Sequence, residues 1–307
     1  MQAIQRSVLK SPVNVFNAGL LILNGMLIAI MLALSNIVTS AGVHPLVYAF
    51  WQTVVAGMIL VIVSVRFHTR LNQRVIVYFV LSALAGIVVP NTAAFFLVTK
   101  LGAGFVGILY ALPPVFTFFF AVSLGLERAS IMKFSGLSVA VIACISIVLL
   151  RRLQLEQVTW HWYMLGFVIP VSLSIGNIYR SVAWPKGLDA RSLAAGTLLA
   201  ASIVISLCAK GVNVELYTPN ISTGYWWIIA GQGVLTALTY FSTFELQRRS
   251  SPVFYSQIGA VAAVFGLFIG VIFLGERYSV GIWFAVAIVI FGLRLANKAR
   301  SSVPSSH

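Results

Sequence analysis

Four polar side chains in one apolar stretch stand at helical spacing. Gln232, Thr236, Thr239 and Thr243 fall at i, i+4, i+7 and i+11, with Tyr240 beside them. On a helix all four share one face. Pro170, Ser174, Asn177 and Ser181 share a face in a second stretch; Asn24 and Ser35, with Asn36 adjacent, do so in a third. In a fourth, Ser256 and Gln257 precede a stripe of small residues at Gly259, Ala263, Gly266 and Gly270. Amides and hydroxyls of this kind bind and orient a solute by hydrogen bonding. Hydrocarbon cannot satisfy them, so these faces look either at other helices or at a water-filled cavity. Both readings stand for the Ser and Thr residues and the glycine stripe. The bulkier Asn36, Asn177, Gln232, Gln257 and Tyr240 are the stronger candidates for a cavity. Pro90 with Asn91, Pro113 with Pro114, and Pro170 each interrupt a helical hydrogen-bond ladder, freeing carbonyls to bind a ligand or serve as hinges. Tyr110, one turn before Pro114, offers its ring and hydroxyl to the same space. The candidate substrate-binding set is therefore Asn36, Asn91, Tyr110, Asn177, Gln232, Thr236, Thr239, Tyr240 and Gln257, with hinges at Pro90, Pro114 and Pro170.

Other chemistry is excluded by where the reactive residues are not. The six acids are Glu127, Glu156, Asp189, Glu215, Glu245 and Glu276, and none stands mid-way along an apolar run. A charge at mid-membrane costs at least about 2.5–3.5 kcal/mol, so one there would be a functional candidate by default. Glu245 comes closest, and Arg248 and Arg249 are its natural end-of-helix partners. No carboxylate proton relay is visible, and no glycine-rich phosphate loop suggests an ATP-driven pump. Glu127-Arg128 and Glu276-Arg277 each follow an apolar run directly and are expected to fix the turn there. Cys144 and Cys208 lie inside apolar runs, and His44, His68, His161 and His307 in connections or the tail. No metal site, cofactor or enzymatic cluster is expected.

These residues must be positioned by membrane helices. Hydrophobic residues make up 60% of the 307 and charged residues 8%; mean hydropathy is +1.00. That much apolar surface exceeds what a soluble core of this size hides. The net charge of +14 is scattered one to three cations per loop, unlike the clustered face of a nucleic-acid binder. Residues 103–130, AGFVGILYALPPVFTFFFAVSLGLERAS, recur without a gap as residues 252–279, PVFYSQIGAVAAVFGLFIGVIFLGERYS, 149 positions later. Each copy is long enough to cross a bilayer. Further runs at about 19–37, 46–65, 75–99, 133–150, 162–181, 193–210, 224–245 and 281–298 bring the expected total to ten. The basic residues set orientation: Lys100, Arg151, Arg152, Lys210 and Arg277 fall outside, and the other fifteen, Arg180 among them, inside. The expected fold is all-α integral membrane, with ten transmembrane helices as two inverted five-helix repeats, 1–151 and 152–307. Both termini are then cytoplasmic, and five spans per half invert the second half relative to the first.

The repeated LGLERAS and FLGERYS endings, the Pro114-containing span, and the related segments from Val88 to Glu127 and Thr236 to Glu276 resemble the drug/metabolite transporter superfamily, in its ten-helix EamA-type branch. ALSNIV and SIGNIY sit where that family carries an Asn-containing turn in its first and sixth helices. Where its members often have Arg in the second helix, Trp51 and Gln52 stand here. The second copy has Ala262 and Ala263 in place of a proline pair. The resemblance implies a central cavity lined by helices from both halves, and the polar faces are expected to bring spans one, three, four, six, eight and nine to it. It also implies export of amino acids, other metabolites or toxic compounds, without catalysis or cofactor. The expected partners are a small-molecule substrate and the lipid bilayer, with no nucleic acid, in a monomer or homodimer of a bacterial inner membrane. The alternatives are a proton-coupled multidrug exporter and a non-transporting receptor or structural subunit. No intramembrane Lys or Arg is expected to hold phosphate, which disfavours nucleotide sugars.

Overall fold

The computed structural model describes residues 15–64, 72–127, 130–154, 158–217 and 221–298. Arg6, Lys10, Arg66, His68, Arg70, Arg128, Glu156, Arg300 and His307 lie outside the described residues. The described residues form helices and connections, with no strand among them. Among the described residues, eight helices are long and apolar enough to cross a membrane: α1 Val15–Ser40, α2 Pro45–Val63, α3 Gln73–Leu101, α4 Ala103–Ser123, α5 over Ile131–Arg151, α6 Trp160–Val182, α7 Ala190–Gly211 and α9 Pro252–Leu274. Two more segments accompany them. α8, Thr223–Arg249, is 27 residues long, but its polar face dilutes its hydropathy. α10, Val280–Lys298, is apolar over Val280–Gly292 only.

The helices pack across the two halves of the sequence. α9 lies against α1 and the first part of α4, α8 against α1 and α2, and α2 against α7; α5 pairs with α10. Small residues permit the closest of these approaches. A Cβ on Gly259 of α9 would stand 1.4 Å from the Tyr110 carbonyl oxygen of α4, so only glycine fits there. The glycine stripe is therefore a packing surface: Gly266 faces Gly104 and Gly107 of α4.

Gly102 alone separates α3 from α4, at φ 90° and ψ 149°. The first N–H groups of α4 are capped from the other half of the chain, Ala103 N–H donating to Glu276 Oε1 at 2.6 Å and Gly104 N–H to Oε2 at 3.1 Å. The Tyr278 hydroxyl donates to the same carboxylate. Arg151, buried, donates to the Leu101 and Arg277 carbonyls and lies over the Tyr278 ring. It was expected as an outer-loop cation and is instead part of this closure. Glu127 pairs with Lys133 at 2.9 Å, and Glu245 with Arg248 and Arg249 at 2.7 and 2.5 Å. All three glutamates thus fix helix ends, the role their positions suggest.

Candidate functional site

The site is built where four helices break their own ladders. In α3, residues Leu84–Val88 form a π-helical turn in which the Val89 N–H reaches back to the Leu84 carbonyl. The Ala85 carbonyl, which that N–H would meet in an α-helix, accepts instead from Ser172 Oγ of α6 at 2.8 Å. Pro90 follows at once and has no N–H to give. α4 stops at Tyr110–Leu112 and restarts at Pro113. Pro114 leaves the Tyr110 carbonyl without its helical donor, and that oxygen rests on Gly259. α6 is interrupted at Phe167, three residues before Pro170. α9 is interrupted at Ser256 and Gln257.

Between these breaks lies a cavity of about 720 Å³, its opening to solvent included. The six helices expected to line it do so. α1 contributes Ile28, Met31 and Leu32, α3 Gly86, Asn91 and Phe95, and α4 Tyr110 and Pro113. From the second half come Leu173, Asn177 and Arg180 of α6, Thr239, Tyr240 and Thr243 of α8, and Tyr255, Ser256, Ile258 and Gly259 of α9. Asn91 ties three helices together. Its Nδ2 donates to the Tyr240 hydroxyl at 3.1 Å, and its Oδ1 accepts from the Tyr110 hydroxyl at 3.4 Å.

Of the nine candidate binding residues, Asn91, Tyr110, Asn177, Thr239 and Tyr240 reach this cavity. The others are placed elsewhere. Asn36 Nδ2 donates to the Val98 carbonyl of α3 at 2.8 Å. Gln232 Nε2 donates to Gln52 Oε1 of α2 at 3.0 Å, and Thr236 reaches the same oxygen at 3.4 Å. These three bind helix to helix because each finds a polar acceptor on the facing helix before it finds space. Gln257 is half-buried at the start of the continuous part of α9, and the cavity wall passes through its neighbours Ser256 and Ile258. The three candidate hinges, Pro90, Pro114 and Pro170, stand at or next to the breaks described above.

Arg180 is the residue that the sequence reading missed. It was counted among cytoplasmic loop cations, yet it is 1% exposed and lines the cavity. Nη2 donates to Asn177 Oδ1 at 3.1 Å and to the Tyr255 hydroxyl at 2.8 Å. The guanidinium lies 5.4 Å from the Phe244 ring centroid. Nη1 packs against the Gly86 Cα, where a Cβ would stand 2.4 Å away. Tyr255, the hydroxyl partner, was also missed. A signal existed: Arg180 stands at i+3 from Asn177, one turn along a face already read as polar.

A family comparison bears on this geometry. Residues 16–149 match the EamA-like transporter family. The match runs from the start of α1 into the last turns of α5 and agrees with the drug/metabolite transporter superfamily. EamA-like proteins are membrane transporters, not enzymes, and the eight long apolar helices are those of a multi-pass membrane protein. No curated protein sequence matches the chain. Among 28 matching chains of solved structures, one described only as the crystal structure of a protein has a TM-score of 0.67 at 15% identity, covering 93% of this chain and 99% of its own. At that identity the likeness is one of fold. It extends over the second half, beyond the EamA-like match.

Proposed function

We propose that the protein is a secondary transporter that moves small metabolites across a bacterial inner membrane through the cavity between its two halves. In this reading ten spans form two inverted five-helix repeats, 1–151 and 152–307, with both termini cytoplasmic, and access alternates as the halves rock. One observation carries the reading. Asn91 and Tyr240 are 149 positions apart, the offset of the sequence repeat, and they hydrogen-bond to each other. Tyr110 and Gly259 share that offset and are in contact. Equivalent residues meet where a twofold axis passes, so these contacts at the cavity wall support an inverted repeat. Asn36 with the Val98 carbonyl in the first half and Gln247 with the Asn177 carbonyl in the second join corresponding helices, with donor and acceptor exchanged. The described acids are engaged at helix ends or stand outside the lining, which favours uniport or exchange over proton coupling. A multidrug exporter would use the aromatic wall of Phe95, Tyr110, Tyr240 and Tyr255, but Arg180 opposes the cations such proteins expel.

The test is efflux from proteoliposomes loaded with mixed amino acids, organic acids and sugars, with and without a pH gradient. Selective flux of one class, absent from protein-free vesicles and indifferent to the gradient, is the expected result. Flux that follows the gradient alone would contradict uniport, and no flux of any load would contradict transport of these classes.

A further inference from the structure

We infer that the cavity holds its solute by an anionic group, a carboxylate or similar oxyanion, with Arg180 as the counter-charge, and that the solute is an organic acid with an apolar body. The inference rests on the reading of this cavity as the solute's path. Arg180 is a full cation at 1% exposure, and no ion pair to it is formed among the described residues. Its polar partners, Asn177 and Tyr255, are neutral and both take Nη2. Nε and Nη1 have no hydrogen-bond partner.

The described acids are engaged or placed elsewhere. Glu127 and Glu245 are paired elsewhere, Glu276 caps α4, Asp189 caps α7, and Glu215 is exposed. Arg180 lies in the last turn of α6. The C-terminal carbonyls of α6 favour a cation there but offset only part of the cost of burying it. A buried guanidinium left with two unused nitrogens is a receptor for oxygen acceptors.

The rest of the wall sets the body of the solute. Ile28, Met31 and Leu32 face it from α1, with Phe95, Leu173 and Ile258 around them. An amino acid would bring an ammonium that no described acid in the wall can pair, so a simple anion fits better than a zwitterion. Cations are repelled outright in so low a dielectric.

An isosteric set of probes tests this: 4-methylpentanoate, leucine, 4-methylpentanamide and 3-methylbutylamine. Each is assayed for thermal stabilisation of the detergent-solubilised protein and for proteoliposome flux. Wild-type protein is compared with Arg180→Gln, Arg180→Lys and Tyr255→Phe. The expected result is a preference for the carboxylate of roughly tenfold or more, the factor that charged hydrogen bonds supply. Arg180→Gln should abolish that preference, Arg180→Lys retain part of it, and Tyr255→Phe weaken it. Should Arg180→Gln fail to fold, the graded loss in the other two variants decides.

Equal response to all four probes would overturn the inference. So would an Arg180→Gln protein that loses ligand-free stability and weakens every probe alike, since that is a structural role. Flux of the amide or amine without the carboxylate would keep the transport reading and discard the anion. Arg180-dependent stabilisation by the carboxylate with no flux of any probe would do the reverse. Neither stabilisation nor flux with any probe would overturn the anion assignment.

Discussion

The turns at Gly102 and Ser251 occupy the same place in the two copies of the repeat, yet they are closed differently. At Gly102 the turn residue has no side chain, and α4 is capped from the opposite half by Glu276, with Tyr278 and Arg151 around it. At Ser251 the turn caps itself, its hydroxyl accepting from the Phe254 N–H at 3.3 Å. Position 252 is a proline, so the N–H that Glu276 grips at Ala103 has no counterpart. Glu127, the equivalent of Glu276, therefore turns to Lys133. Among the described residues, the Gly102 turn is thus held from the opposite half and the Ser251 turn by its own hydroxyl. Rocking of the halves, as proposed above, would then have to open these bonds at the Glu276 end.

The comparison can be broken by substitution, with thermal unfolding in detergent as the measure. Glu276→Ala should cost most, because it orphans two buried N–H groups at about 1–3 kcal/mol each. Gly102→Ala follows at roughly 1–3 kcal/mol: φ 90° is strained for alanine, and its Cβ would meet Glu276 Oε1 at 2.9 Å. Ser251→Ala should lose a single cap, about 0.5–2 kcal/mol. Glu127→Gln should cost no more than about 1 kcal/mol, the range of exposed ion pairs, since both partners are partly open to solvent. An equal loss for Glu127→Gln and Glu276→Ala would erase the asymmetry.

The smallest effect sharpens it through pH. His44 caps α2 by accepting from the Leu46 N–H, and Asp189 caps α7 by accepting from the Ser192 N–H. Burial lowers the His44 pKa below 6.5. Burial pushes the Asp189 carboxyl up, but its bonds to Ser192 and the nearby Arg191 outweigh that and leave it below 3.8. Both pKa values are depressed, so each cap is intact above the ordinary value and lost as pH falls through the shifted one. Between pH 7 and 5 only the His44 cap should weaken. His44→Asn, a cap that does not titrate, should remove that slope of the melting temperature, and an unchanged slope would contradict the assignment.

Much of the fold was legible because membrane helices and long repeats write themselves in composition and period. The predicted run at 46–65 meets the observed Pro45–Val63 to within two residues. The site was legible in part. Proline marked three of the ladder breaks, and Asn91 and Tyr110 followed from proximity to them. The π-helical turn at Leu84–Val88 has no residue signature, so the diversion of the Ala85 carbonyl to Ser172 was invisible. Asn36 and Gln232 misled because a helix face says that a polar group is turned inward, not whether a partner or a space awaits it. Arg180 was lost to a rule about loops: a cation two residues from a helix end counts as cytoplasmic by position, whereas its burial depends on Gly86, Asn177 and Tyr255 from three different helices.

The central claim is that solute binds in the cavity between the halves and not at the polar packing contacts. Its most direct test is the flux of a solute found in the efflux screen, measured in Tyr240→Phe and in Asn36→Ala at equal amounts of folded protein. Loss of about tenfold in Tyr240→Phe, with Asn36→Ala close to wild type, is predicted. Full flux in Tyr240→Phe with loss in Asn36→Ala would contradict it.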